Sequence, residues 1–329
     1  MLPTNIWERI IDVLAYSGAG GSRIPDRPSL SACSMVCKSW QQRARSHLCQ
    51  IVRVSSRDQL LSFVAFLSSS PHLCTLVQHL TFHGYSHEEN ILSEDDSWVS
   101  SAPLLFPALP RLHAVAFINV DFSYQHAIFD KAFGKLKFTS NIKSLAFTHY
   151  RDMSMITFSR FTHLAHVLRA EAITFHSCTF SSDVASGAVT RNSRIAYWTL
   201  TATTAAIIST WSKILYALRA CDFVGVKINL QAFGVVWNWD EHTPETWKAV
   251  DDVLAQHYTA LRYLTVKLQV PTFTLHGPPH RVLSSHYGCV DDIVYALFPQ
   301  TLSVKRVMFE KSCFDPSCRK TFETISVPP

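Results

Sequence analysis

The chain has 329 residues, with 47% hydrophobic against 17% charged residues and a formal net charge of +5. That length allows one large domain or a small one beside a large one, and the apolar excess predicts a big core plus apolar surface that needs company. The modest charge, with no long basic run, argues against nucleic-acid binding, so Arg43, Arg45 and Arg53 read as a solvated helix face.

The first forty-eight residues carry the densest pattern. Leu2-Pro3 is followed by Ile6, Trp7, Ile10, Ile11 and Leu14, then by Leu30, Cys33, Val36, Cys37, Trp40 and Leu48. Pro3 suits the first turn of a helix, where a missing N–H costs nothing. Ile6, Ile10, Ile11 and Leu14 fall on one apolar stripe, and the second group repeats the helical spacing with Ser29 placed as a cap. Between them Gly18, Gly20, Gly21, Pro25 and Pro28 mark a surface loop. Helices this short cannot bury all that surface among themselves. Some of it must meet a partner or the rest of the chain.

This pattern resembles the F-box, the adaptor-binding module of SCF-type ubiquitin ligases. The resemblance rests on Leu2-Pro3, Ile6, Ile10-Ile11, Leu14, Val36-Cys37-Lys38-Ser39-Trp40 and Leu48. Asn5 departs from the family's usual acidic residue, and the Tyr16–Pro28 connection is longer than usual. What the resemblance implies is an F-box over residues 1–48. In it Leu2, Pro3, Ile6, Ile10, Ile11, Leu14, Val36 and Trp40 dock a Skp-family adaptor or support the docking surface. Leu2 and Pro3 would insert directly, with Val36 and Trp40 holding the small bundle together.

A motif beginning at residue 2 leaves no room for a signal peptide ahead of it, so a cytoplasmic or nuclear location is expected. The nine cysteines are odd in number and scattered singly through apolar stretches, as reduced and buried thiols would be. Cys313 and Cys318 lack a second pair at zinc spacing, so no metal site is expected.

From residue 49 onward, short apolar strands recur around Leu80, Val115, Leu145, Ile173, Trp198, Ile228, Leu264 and Val307 at unequal spacing. Helical faces fall between them: Leu60/Leu61/Val64/Leu67, Phe161/Leu164/Leu168, Trp247/Val250/Leu254/Tyr258 and Val290/Ile293/Val294/Leu297. Thr243 and Pro244 stand as cap and first residue of the third. Uncharged Ile195–Ser212 approaches bilayer-spanning length, but its apolar spacing changes midway. It reads as a strand followed by a helix, and no membrane span is expected.

Alternating strands and helices at this pitch argue for parallel strands with helical crossovers. A doubly wound sheet and a leucine-rich-repeat solenoid both fit. The strand shape resembles the leucine-rich-repeat core, although the asparagine or cysteine position is filled only by Cys178, with Tyr85, Val120 and Tyr150 at the same offset elsewhere. Beside an F-box-like N-terminus, the layout resembles fungal F-box proteins with irregular leucine-rich repeats. The expected class is α+α/β: a small all-helical F-box module (1–48) followed by an irregular α/β leucine-rich-repeat-like solenoid (49–329) that recognises a substrate.

No phosphate loop, dinucleotide fingerprint, nucleophile elbow or H-E-x-x-H motif occurs, so no catalytic residue and no cofactor is expected. The sixteen histidines sit singly and read as structural. The expected role is a non-catalytic receptor that bridges a Skp-family adaptor, and through it a cullin–RING core, to an unidentified protein substrate. Trp237 and Trp239, beside acids ahead of a capped helix, are candidate substrate contacts. The acidic stretch from Glu88 to Asp96 with Trp98 reads as a solvated loop. The competing roles are an interaction scaffold outside any ligase, and an adaptor-binding protein with another purpose.

Overall fold

A computed structural model of the chain describes residues 4–16, 26–84, 96–122, 125, 126, 128–134, 142–150, 153–181, 197–202, 205–208, 210–219, 224–231, 244–257, 261, 263–269, 298–304, 308, 309, 325 and 326. These fall into two compact units, Met1–Ser144 and Leu145–Pro329.

The first unit opens with three helices, α1 (Thr4–Tyr16), α2 (Arg27–Cys33) and α3 (Lys38–Gln50). Their shared core is Ile11, Ala15, Leu30 and Ala44, with Leu14, Cys33, Trp40 and Leu48 packed against it. Asp26 caps α2, accepting from the Ser29 amide (3.2 Å) and the Ser29 hydroxyl (2.7 Å). Ser29, expected to cap, is instead the donor. The cap moves because Pro28 already occupies the first turn, where its missing N–H is harmless.

Strand β1 (Ile51–Val54) then pairs in parallel with β2 (His79–His83), and β2 with β3 (Ala114–Ile118). Helix α4 (Arg57–Ser69) crosses between β1 and β2. It begins with Ser56 accepting from the Gln59 amide while the Gln59 side chain accepts from the Ser55 amide and hydroxyl. That reciprocal arrangement satisfies amides the first turn leaves open. Of the expected α4 face, Leu60 and Leu67 are buried but Leu61 is exposed. Helices α5 (Trp98–Leu105) and α6 (Phe129–Gly134) complete the unit.

The second unit orders β4 (Ser144–Thr148), β5 (Ala172–His176), β6 (Tyr197–Ala202), β7 (Gly225–Gln231) and β8 (Tyr263–Gln269) side by side in chain order. The pairs from β5 to β8 are parallel. Between them lie α7 (Met155–Val167), α8 (Ala205–Ile208), α9 (Trp211–Ala217) and α10 (Pro244–His257). The uncharged Ile195–Ser212 stretch contains β6, α8 and the start of α9, as its change of spacing predicted. Among the described residues no helix is long and apolar enough to cross a membrane. Buried Asp251 of α10 accepts from the amides of Gln300 and Thr301 (both 2.8 Å) and so caps the short helix Pro299–Val304. The fourth expected helix, Val290–Leu297, lies outside the described residues.

Strands β2 and β3 in the first unit and β4 and β5 in the second alternate half-exposed and buried residues, so in each unit one strand face is buried and the other is open. The buried face carries a phenylalanine at the fourth position of each strand from β2 to β5. Phe82 stacks on Phe117 at 5.3 Å in the first unit; in the second Phe147 stacks on Phe175 at 5.6 Å, and Phe175 on Trp198, which pairs with Ile173, at 5.4 Å. Just past their strands, Asn119, His149 and Ser177 adopt positive φ (52°, 62° and 52°). Each turns the chain so that the next residue, Val120, Tyr150 or Cys178, is buried.

The expected α+α/β class is overturned. The chain forms parallel strands with interleaved helices, an α/β-type fold. Helices α1–α3 are not a separate all-helical module but part of the same compact unit as β1–β3. The reason lies at Gln50–Ile51, where α3 passes into β1 with no residue between, and at Arg27, whose guanidinium donates to the Ile51 carbonyl (3.0 Å). Nor is the remainder the expected solenoid: no asparagine row builds a repeated turn, because Val120, Tyr150 and Cys178 stand at that offset and pack inward as core residues. Among the described residues the strand order never reverses within either unit, so the described strands form no switch-point crevice of a doubly wound sheet.

Candidate functional site

The N-terminal helices combine a fixed inner side with an apolar outer side. On α1, Ile11 (1% exposed) and Ala15 turn into the bundle core and Leu14 packs against it. Ile6, Ile10 and Val13 stand at i, i+4 and i+7, and all three are exposed, Val13 by 62%. In the turn between α2 and α3, Met35 and Val36 are exposed by 81% and 61%. Ordinary surfaces leave such residues scattered singly. A stripe of three on one helix, with two more in the α2–α3 turn, is more apolar exposure than single scattered residues give.

Two contacts hold this outer side in place. Trp7 of α1 and Trp40 of α3 meet with ring centroids 4.8 Å apart. Asp12 of α1 accepts a fork from Arg43 of α3, Nε at 2.8 Å and Nη2 at 2.7 Å, and meets Nε2 of buried His47 at 2.7 Å. The Arg43 hydrogen bond, opposed by partial burial and aided by His47, holds the Asp12 carboxyl below its usual range. The clamp fixes how α1 is rotated, and hence which of its residues face outward.

Of the eight expected adaptor contacts, Ile6, Ile10 and Val36 are exposed where a partner can reach them. Ile11 is buried and Leu14 and Trp40 are packed against the bundle core, so these three support the surface without forming it. Val36, expected to hold the bundle together, faces solvent instead. Leu2 and Pro3 lie outside the described residues, as do Trp237 and Trp239. The sequence reading missed Val13 and Met35. At about 100° per residue, Ile6, Ile10, Ile11 and Leu14 spread over nearly half the helix circumference, too wide for one buried stripe. Splitting that arc exposes Ile6 and Ile10 and adds Val13, about 20° beyond Ile6 on the side away from Ile11.

Other polar groups singled out by sequence are structural. Trp98 and Asp96, expected in a solvated loop, are buried. An Asp96 carboxylate oxygen accepts from the Asp121 amide (2.8 Å), and its carbonyl accepts from Gln125 (2.8 Å). Glu88, Glu89, Glu94 and Asp95 lie outside the described residues. His149 and His176 meet edge to face at 5.7 Å, and burial together with the neighbouring His149 pushes His176 down to about 4. The thiol of Cys178 is pushed up to about 12 by burial.

Compared with protein families, with curated proteins and with solved structures, the chain matches none. The chemistry available to the α1 surface is therefore read from its own side chains. They offer apolar area to a complementary groove, on a backbone fixed by the Asp12 clamp.

Proposed function

We propose that the chain is the substrate-recognition subunit of an SCF-type cullin–RING ubiquitin ligase. In this reading residues 1–48 dock a Skp-family adaptor, and residues 49–329 hold a protein substrate. The observation carrying it is the exposed stripe Ile6, Ile10 and Val13 on α1, in a segment whose sequence resembles the F-box. The adaptor would tie the chain to a cullin–RING core, and ubiquitin transfer would be promoted by raising the substrate's effective concentration near the conjugating enzyme. A cytoplasmic or nuclear location goes with that role.

The docking step is apolar burial around a few anchors, and truncating such an anchor typically costs ~2 kcal/mol or more. Co-purification of the chain with adaptor and cullin tests the reading, using wild type against Ile6→Ala/Ile10→Ala/Val13→Ala. Loss of both partners in a variant that keeps the wild-type melting profile supports it. Absence of adaptor and cullin from the wild-type sample overturns it.

The direct passage of α3 into β1 favours a second reading, a scaffold outside any ligase. There the helices serve as the lead-in to β1, with Arg27 satisfying the Ile51 carbonyl at its start. Recovery of a stable partner without adaptor or cullin identifies that case.

A further inference from the structure

We propose that the open sheet face of the first unit binds an acidic, extended polypeptide segment. Parallel register sets Ile51, His79 and Ala114 in one row, Arg53, Thr81 and Ala116 in the next, and His83 and Ile118 in a third. The alternate residues Val52, Val54, Leu80, Phe82, Val115 and Phe117 are buried on the opposite face. Arg53 is exposed, and the strand residues beside it are half-exposed. With strands about 4.8 Å apart, Thr81 and Ala116 form a shallow row of small side chains beside Arg53.

Two further cations, Arg111 and Lys143, stand at the strand entrances. The His113 ring meets the His79 ring at 4.7 Å, exposed Arg111 lies two residues before His113, and the amide of exposed Lys143 donates to the His113 carbonyl at 2.8 Å. Among the described residues no carboxylate occupies any of these positions, and no ion pair engages Arg53, Arg111 or Lys143. The described acids of the unit lie on other elements: Glu8 and Asp12 on α1, Asp26 at the cap of α2, Asp58 on α4, Asp130 on α6, and Asp96 and Asp121 in connections beyond the strand exits.

Cations without counter-charges select an anionic partner by complementarity. Ile51, Ala114, Ala116 and Ile118 intersperse apolar contacts that suit side chains. Single-stranded nucleic acid would call for exposed tryptophan, tyrosine or phenylalanine as stacking platforms, and none stands at these strand positions. An acidic peptide with interspersed apolar residues is the better match. This face is separate from the α1 stripe, and its binding stands whether or not that stripe docks an adaptor.

The test is fluorescence anisotropy with the full chain and a labelled peptide of alternating glutamate and valine. A glutamine–valine peptide and a labelled oligothymidine serve as comparisons. The glutamate peptide is expected to bind best, and more weakly as salt rises. Arg53→Glu/Arg111→Glu is expected to weaken it by about tenfold or more, as like charges then face each other. Lys143→Glu should weaken it separately, and Arg9→Glu on α1 should leave it unchanged. Circular dichroism checks that each variant is folded. Equal binding of the two peptides, unchanged binding in the folded reversed variants, or tighter binding of oligothymidine overturns the proposal.

Discussion

The guanidinium of Arg43 grips the carboxylate of Asp12 with two hydrogen bonds, Nε to Oδ1 at 2.8 Å and Nη2 to Oδ2 at 2.7 Å, across 31 residues of sequence. The same Oδ1 meets His47 Nε2 at 2.7 Å, so one acid on α1 is held by two residues of α3. The fork is half open to water (side chains 45% and 32% exposed), which limits its contribution to about 0.5–1 kcal/mol.

Asp12 therefore gives a pH-dependent contribution to stability. Its carboxyl is depressed in the folded chain relative to the usual 3.8. A depressed acid stabilises the fold above its unfolded value, and the contribution fades as pH falls through the folded one. Urea unfolding should show Asp12→Asn less stable than wild type near pH 6, with the gap closing as pH falls below the usual 3.8 and through the depressed folded value. A gap that stays constant with pH would mean the charge on Asp12 does not matter.

Adjacent isoleucines on α1 should behave in opposite ways. Ile11 is buried, and Ile11→Ala should cost about 2–4 kcal/mol through lost burial and a residual cavity. Ile10 is exposed, and Ile10→Ala should change stability by less than about 0.5 kcal/mol. Chemical denaturation of the two variants measures the contrast, and equal losses would contradict the rotation of α1 set by the Asp12 clamp.

Cysteine reactivity should divide by position. Cys37 is exposed, and hydrogen bonds from the Ser39 hydroxyl, then from the Trp40 amide, lower its thiol, which favours the reactive thiolate. Cys178 is buried and pushed up to about 12. Brief alkylation at neutral pH, mapped by mass spectrometry, should label Cys37 first and Cys178 only after unfolding. Early labelling of Cys178 would show that its pocket opens.

The strand exits should respond to backbone chemistry. Asn119 sits at φ 52°, where a Cβ-bearing residue without a helpful side chain is disfavoured. Asn119→Ala should cost about 1 kcal/mol and Asn119→Gly little or nothing. Gly84 has a different constraint. A Cβ there would overlap the Asn119 carbonyl oxygen and reach within 2.8 Å of Val120 Cα, so Gly84→Ala should destabilise through backbone displacement. Thermal melts of the three variants test the order.

Much of the secondary structure was legible because burial imposes periodicity. The central apolar residues from Leu80 to Leu264 all lie in strands, and Phe161, Leu164, Trp247, Val250 and Leu254 are buried helix positions as their spacing implied. The turns were less legible. Asn119, His149 and Ser177 share one backbone conformation but no side-chain type, so no residue pattern announces it. The helical half of the candidate site was read as one apolar stripe, yet apolarity alone does not say which part of a wide arc faces the core.

The sequence by itself determined where strands and helices form and that the N-terminal segment carries more apolar surface than three short helices can bury. Tertiary structure decided the class and the site. It joined α3 to β1 within one compact unit, and the Asp12–Arg43 contact set the rotation of α1. The reason is physical. Periodicity is a local property of neighbouring residues, whereas the direction a face points depends on contacts between residues far apart in the chain.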